Sequence, residues 1–291
     1  MFRGSIVAVV TPMTESGEVD FDAFESLLEW HLAEGSDGVV VMGTTGESPT
    51  VTVAESEELI ERAVRRLSGR IPVIAGTGTA STLVTVERTR AACEAGVDAV
   101  LVVTPYYNKP SQEGLFLHFH AVADASSVPV ILYNVPSRTA VDLLPATVAR
   151  LAQHPQIVAI KEATGRLERA REILACCGDD FVLLSGDDAT AREWIAAGAQ
   201  GVISVTGNVA PGPMHRMCEA ALAGDAAGAL VIDQTLAALH RDLFLEANPI
   251  PVKWALQHMG RAQGGIRLPL TRLADVYQPL VAAALRVAGI Q

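Results

Sequence analysis

The sequence has little of what several common protein classes require. It holds four cysteines, Cys93, Cys176, Cys177 and Cys218, and no CxxC pair. That argues against a disulfide framework or a zinc ribbon, and they read as small buried hydrophobes. Basic charge is also short: 22 Lys and Arg stand against 33 Asp and Glu, a net of -11, and no basic stripe appears. Nucleic acid is therefore not an expected partner. No apolar run approaches the roughly 20 residues that cross a bilayer. The start, Met1-Phe2-Arg3-Gly4-Ser5, lacks the basic stretch, long apolar region and cleavage site of a secretory signal. A soluble, cytoplasmic protein is the expectation. Metal-ligand spacing is missing as well. There is no HExxH; His118 and His120 fall two apart in an expected helix, where they point to different sides, and His31, His154, His215, His240 and His258 stand alone. No metal site is expected.

What the chain does have is rhythm. Short apolar runs return at 5–12 (SIVAVVTP), 38–43 (GVVVMG), 72–78 (PVIAGTG) and 99–105 (AVLVVTP), then at 129–136 (PVILYNVP), 157–164 (IVAIKEAT), 181–188 (FVLLSGDD) and 201–208 (GVISVTGN). Near-continuous apolar runs without strict alternation suit parallel strands covered on both faces. Between them lie helical patterns, among them 21–34, 52–67, 81–95 and 112–125, with Gly35, Gly69, Gly96 and Gly198 at helix ends. Eight βα repeats predict a closed (β/α)8 TIM barrel. An open doubly wound sheet would more often carry GxGxxG after its first strand, and Thr11-Pro12-Met13-Thr14 is unlike it. Residues 213–223 supply the last barrel helix. The division expected is a catalytic barrel over 1–224 and a C-terminal helical appendage over 225–291, used for packing and oligomerisation.

In such a barrel the chemistry lies where the strands stop. Lys161 interrupts the apolar run at 157–160. By period-two alternation it shares a face with Ile157 and Ala159, leaving Val158, Ile160 and Glu162 on the other. A strand-end lysine is often only snorkelling or paired with an acid. Among apolar atoms, however, an amine loses hydration, which favours its neutral, carbonyl-attacking form. After the second run, Gly43-Thr44-Thr45-Gly46-Glu47-Ser48 gathers N–H and O–H donors around a small anion, and without a Walker lysine these suit a carboxylate. Three of the four tyrosines, Tyr106, Tyr107 and Tyr133, fall at run ends, and with Thr44 and Lys161 they could pass a proton. Arg138 follows closely and suits a carboxylate.

The segments GTTGES (43–48), VTPYYNKPSQEGL (103–115), ILYNVPSRT (131–139), IKEATG (160–165), LLSGDDA (183–189), GVISVTGN (201–208) and NPIPVKWA (248–255) span nearly the whole chain. Together they resemble the dihydrodipicolinate synthase family of pyruvate-dependent class I aldolases. The resemblance implies that Lys161 forms a Schiff base with pyruvate, whose enamine attacks L-aspartate 4-semialdehyde. Thr44, Tyr107 and Tyr133 match the family's proton relay, with Tyr107 reaching into a neighbouring subunit. Thr45 matches the pyruvate-carboxylate contact, Arg138 the semialdehyde-carboxylate contact, and Gly186 and Ile203 the backbone contacts near the imine. The resemblance further implies a homotetramer built as a dimer of dimers and no cofactor beyond the imine. Two other readings compete: a sister aldolase acting on a sugar acid or N-acetylneuraminate, and a silent small-molecule-binding barrel. Arg138 disfavours the first, and the retained lysine and hydroxyls disfavour the second. One departure stands out. The positions matching a lysine-inhibition pocket hold Val53, Ser56, Ala80 and Val84, so feedback by lysine is expected to be weak or lost.

Overall fold

The computed structural model describes residues 2–290. Eight parallel strands, β1 (Gly4–Ala8), β2 (Gly38–Val41), β3 (Val73–Gly76), β4 (Ala99–Val103), β5 (Val130–Asn134), β6 (Ile157–Glu162), β7 (Val182–Ser185) and β8 (Gly201–Ser204), pair in sequence order. β8 returns to β1, which closes the barrel. Two apolar layers explain why the runs lack alternation. Ile6, Val40, Ile74, Leu101, Ile131, Ala159, Leu184 and Ile203 fill the interior. Their strand neighbours, such as Val39, Val100, Leu132 and Ile160, pack outward with the helices. The strands are shorter than the apolar runs. The last residues of each run leave the ladder and become the loops that rim the barrel, as in the TIM-barrel plan.

The helices start at side-chain caps. Asp20, Thr52, Ser81 and Ser111 accept N–H bonds at the heads of Phe21–Ala33, Val53–Leu67, Thr82–Glu94 and Gln112–Ala125. Thr52 and Glu55 form a reciprocal capping box. Gly35 and Gly96 take φ of +89° and +86° just past helix ends, a conformation that a Cβ would strain. The last barrel helix runs over Pro211–Leu222, beginning two residues before the expected start because Pro211 fits the first turn. Three further helices, Ala226–Asp242, Ile250–His258 and Gln278–Val287, follow. Leu236, Leu239, Val252, Leu256, Val281 and Leu285 share one apolar cluster with Val202, Met214 and Met217 of the barrel. This C-terminal segment thus packs on the outside of the barrel, against β8 and the last barrel helix.

One expectation fails locally. Val130 pairs with Ile157 while Ile131 pairs with Ala159, so Val158 is a bulge. Ile157 therefore packs outward and Val158 against the interior. The alternation expected from 157 holds only from Ala159 onward.

Candidate active site

Lys161 is the next-to-last residue of β6, and it is 6% exposed. Strand register sets it beside Tyr133 of β5 and Leu184 of β7. Its Nζ lies 4.3 Å from the centroid of the Tyr133 ring. A Cβ on Gly186, just beyond β7, would come within 3.1 Å of Lys161 Cγ and Cε. Glycine leaves the lysine stem its room. Among the described residues the Lys161 amine has no carboxylate and no hydrogen-bond partner. Its sequence neighbour Glu162 turns to the opposite face, where it is fully buried and committed elsewhere.

That opposite face locks the two strands together. Asn134 Nδ2 donates to Glu162 Oε2 and to Asp142 Oδ1, both at 2.8 Å. The Thr164 N–H donates to Glu162 Oε1 at 2.7 Å, and Arg169 pairs with Asp142 at 2.8 Å. Burial pushes the Glu162 carboxyl above its ordinary range, with the Asn134 and Thr164 bonds pulling against it. Asn134 and Glu162 each follow a candidate catalytic residue by one position. They interrupt apolar runs as Lys161 does, and that signal could have marked them.

The other half of the site comes from loops. Thr44 and Arg138 line a cleft of about 540 Å³ with Ser48, Thr79, Tyr106 and Val135. Thr45 lies one residue further in, 2% exposed, and accepts a hydrogen bond from Asn248 Nδ2 at 3.0 Å. The Asn248 carbonyl accepts from Arg138 Nη2 at 3.2 Å. Glu47 holds the same loop in a left-handed turn, φ +55°, with its carboxylate against Lys253. Ile203 sits in β8 within the barrel interior. Tyr107 is apart from all of these: it is 92% exposed with φ +73°, and Tyr106 faces the cleft in its stead. Lys161, Tyr133 and Gly186 are thus brought together, as are Thr44 and Arg138, while Thr45 is joined to Arg138 through Asn248. Asn248 had no role in the sequence reading; only its place in NPIPVKWA marked the segment.

A separate groove of about 440 Å³ between helices Val53–Leu67 and Thr82–Glu94 is lined by Val53, Ser56 and Val84, and also by Glu57, Glu61, Glu87 and Arg88. Ala80 and Val84 border the main cleft. The histidines call for a correction: His215 lies 3.0 Å from Asp37 and His240 3.5 Å from Asp233, and His154 does not stand alone either. Its Nε2 lies 3.1 Å from Asp124 Oδ1, and His120 Nδ1 lies 3.0 Å from Asp124 Oδ2, a grouping with metal-like spacing. The Gln156 N–H, however, donates to His154 Nδ1 at 3.1 Å. That leaves the ring proton on Nε2, facing Asp124, which is the reverse of a metal-binding tautomer. The trio is a hydrogen-bonded surface cluster.

A buried amine with no carboxylate partner among the described residues, and a cleft lined by the Thr44 hydroxyl and the Arg138 guanidinium, suit carbonyl chemistry on an anionic substrate. Comparison with known proteins agrees. Residues 1–288 match the Dihydrodipicolinate synthetase family. Over 291 residues the chain is 56% identical to the 4-hydroxy-tetrahydrodipicolinate synthase of Azoarcus sp. (strain BH72), covering 100% of both. It is 57% identical over 290 residues to that of Thioalkalivibrio sulfidiphilus, covering 100% of this chain and 99% of the relative. The chloride-inhibited dihydrodipicolinate synthase of Acinetobacter baumannii, solved with pyruvate, superposes at TM-score 0.99 with 49% identity and full coverage of both chains. An enzyme from Cyanidioschyzon merolae, solved with lysine bound, does so at 0.97 with 39% identity, covering 100% of this chain and 99% of that one.

Proposed function

The chain belongs to the dihydrodipicolinate synthetase family, and from that premise we infer how its residues condense pyruvate with L-aspartate 4-semialdehyde to 4-hydroxy-tetrahydrodipicolinate, the committed step of diaminopimelate and lysine biosynthesis. It is a lyase acting on small molecules. The observation that carries the mechanism is Lys161, a buried amine with no counter-ion among the described residues, lying over the Tyr133 ring beside a glycine that leaves its stem free.

Lys161 Nζ adds to the C2 ketone of pyruvate, and the carbinolamine loses water to an imine. Loss of a proton from C3 gives the enamine, whose C3 attacks the aldehyde carbon of the second substrate; the aldehyde oxygen becomes a hydroxyl. The amine of that substrate then attacks C2, closes the six-membered ring and releases Lys161. Every atom and proton is accounted for without a cofactor or a metal. Tyr133 and Thr44 carry protons, and Tyr107 of a neighbouring subunit completes the relay. Its near-complete exposure supports a role outside its own chain. Thr45 donates to the pyruvate carboxylate and Arg138 to the semialdehyde carboxylate. The backbones of Gly186 and Ile203 contact the substrate near the imine.

Val53, Val84 and Tyr106 are exposed apolar residues bordering adjoining grooves, which supports a covered face. We propose a dimer of dimers in the cytoplasm. No helix among the described residues is long and apolar enough to cross a membrane.

The test is pyruvate-dependent consumption of L-aspartate 4-semialdehyde, coupled to reduction of the product with NADPH. A robust rate is expected. A borohydride-trapped pyruvate adduct without that rate would overturn the second substrate and keep the imine. The valines at 53 and 84 and the small residues at 56 and 80 also bear on regulation. A titration with lysine should show weak inhibition or none, and strong inhibition below millimolar lysine would contradict this and bring in Glu57, Glu61 or Glu87 as ammonium partners.

A further inference from the structure

Asn248 enters the site from outside the barrel. It lies between the helices Ala226–Asp242 and Ile250–His258, 203 residues from Thr45, and is 5% exposed. It makes two bonds into the cleft wall: Nδ2 donates to Thr45 Oγ1, and its carbonyl accepts from Arg138 Nη2. Its Oδ1 is buried with no partner. The amide could be turned over, so that Oδ1 accepted the Thr45 proton. That would leave both amide N–H donors without acceptors, whereas the orientation seen leaves one N–H, Oδ1 and the Thr45 proton, the last of which a bound anion would take.

The direction of the Thr45 bond has a consequence. A hydroxyl has one proton, and an oxygen that accepts from Asn248 sends that proton elsewhere. Among the described residues, no acceptor in the chain takes it. Thr45 is therefore left with a buried hydroxyl proton turned away from Asn248, and its acceptor is not part of the chain. A donor already aimed needs no rotation when an anion arrives.

We propose that Asn248 is a positioning residue for substrate binding: it fixes the Thr45 hydroxyl as a donor to the pyruvate carboxylate and steadies Arg138 through its carbonyl. This rests on the reading of Thr45 given above. The C-terminal segment thereby completes the site that the barrel begins.

The test follows the pyruvate concentration that half-saturates the borohydride-trapped adduct on Lys161, read by intact mass, with thermal unfolding as the check on folding. Asn248→Leu removes the amide donor at similar size and should raise that concentration about threefold to tenfold. In a Thr45→Val background the same change should move it less than about twofold, because the hydroxyl through which it acts is gone. Asn248→Asp keeps the shape but can only accept, so it draws the Thr45 proton inward; it should raise the concentration about tenfold or more. Equal fold-changes with and without the Thr45 hydroxyl would mean a merely structural role and overturn the proposal, as would unchanged half-saturation in Asn248→Asp. No adduct in the unmodified enzyme would instead overturn the imine chemistry, and this role with it.

Discussion

Two lysines of this chain are buried almost equally, Lys161 at 6% exposure and Lys253 at 5%, yet their surroundings differ. Lys161 ends a barrel strand, and no carboxylate among the described residues pairs with it. Lys253 lies on the helix Ile250–His258, its amine against the fully buried carboxylate of Glu47. Burial pushes the Lys253 amine below its ordinary range, and Glu47 pulls it back up. Glu47 also accepts the Arg267 N–H at 3.2 Å. Burial alone does not make a lysine a nucleophile; a counter-ion is what ties Lys253 down, and the proposed nucleophile Lys161 has none among the described residues. The same contrast divides the site. The half around Lys161 and Tyr133 is set by strand register, with Asn134 and Glu162 locking it from behind. The half around Thr44 and Thr45 is a loop held by Asn248, Lys253 and Arg267 from the C-terminal segment.

Exchanging the two lysines' fates would break this comparison. Lys161→Ala should abolish the trapped pyruvate adduct and lower turnover by roughly three orders of magnitude or more, with thermal unfolding little changed. A surviving adduct would move the nucleophile, and Lys253 would become the first suspect. Lys253→Met should do the opposite: the adduct on Lys161 persists, while stability falls by about 3–5 kcal/mol because Glu47 is left buried and unpaired. Denaturant unfolding reads that loss, and an unchanged midpoint would strip Lys253 of its tie-rod role.

A smaller effect sharpens the picture at the edge of the same loop. The Arg267 guanidinium bonds Glu55 and, with the Thr52 N–H and hydroxyl, holds its carboxyl down to about 2 from an ordinary 4.5, against the opposing push of burial. A carboxyl depressed on folding contributes stability that is present above the unfolded value and is lost as pH falls through the folded one. The protein should therefore lose part of its stability between pH 4.5 and about 2. Glu55→Gln should flatten the stability profile in that window, and matching acid-unfolding curves for the two proteins would exclude the pair as a contributor.

Much of this molecule was legible one residue at a time. Lys161, Asn134 and Glu162 stand out because a polar group within an apolar run needs a reason. Tyr133 follows from where its run stops, and Gly186 was named only through the family resemblance. The histidine cluster was not legible, since His154 and Asp124 come from different elements and leave no periodicity behind. Nor was the bulge at Val158, which slips the register of one strand against its neighbour without altering the apolar composition.

By itself the sequence determined the eight-stranded plan, the glycine ends of the helices, and the strand-end lysine. Each of these is written in spacing over a few residues, where backbone period and side-chain hydration act locally. Only the tertiary structure decided which buried lysine lies against a carboxylate, and that Asn248 reaches across 203 residues to Thr45. Those outcomes depend on which distant groups meet in the packed state, and pairwise contacts at such separation imprint no pattern on the chain that makes them.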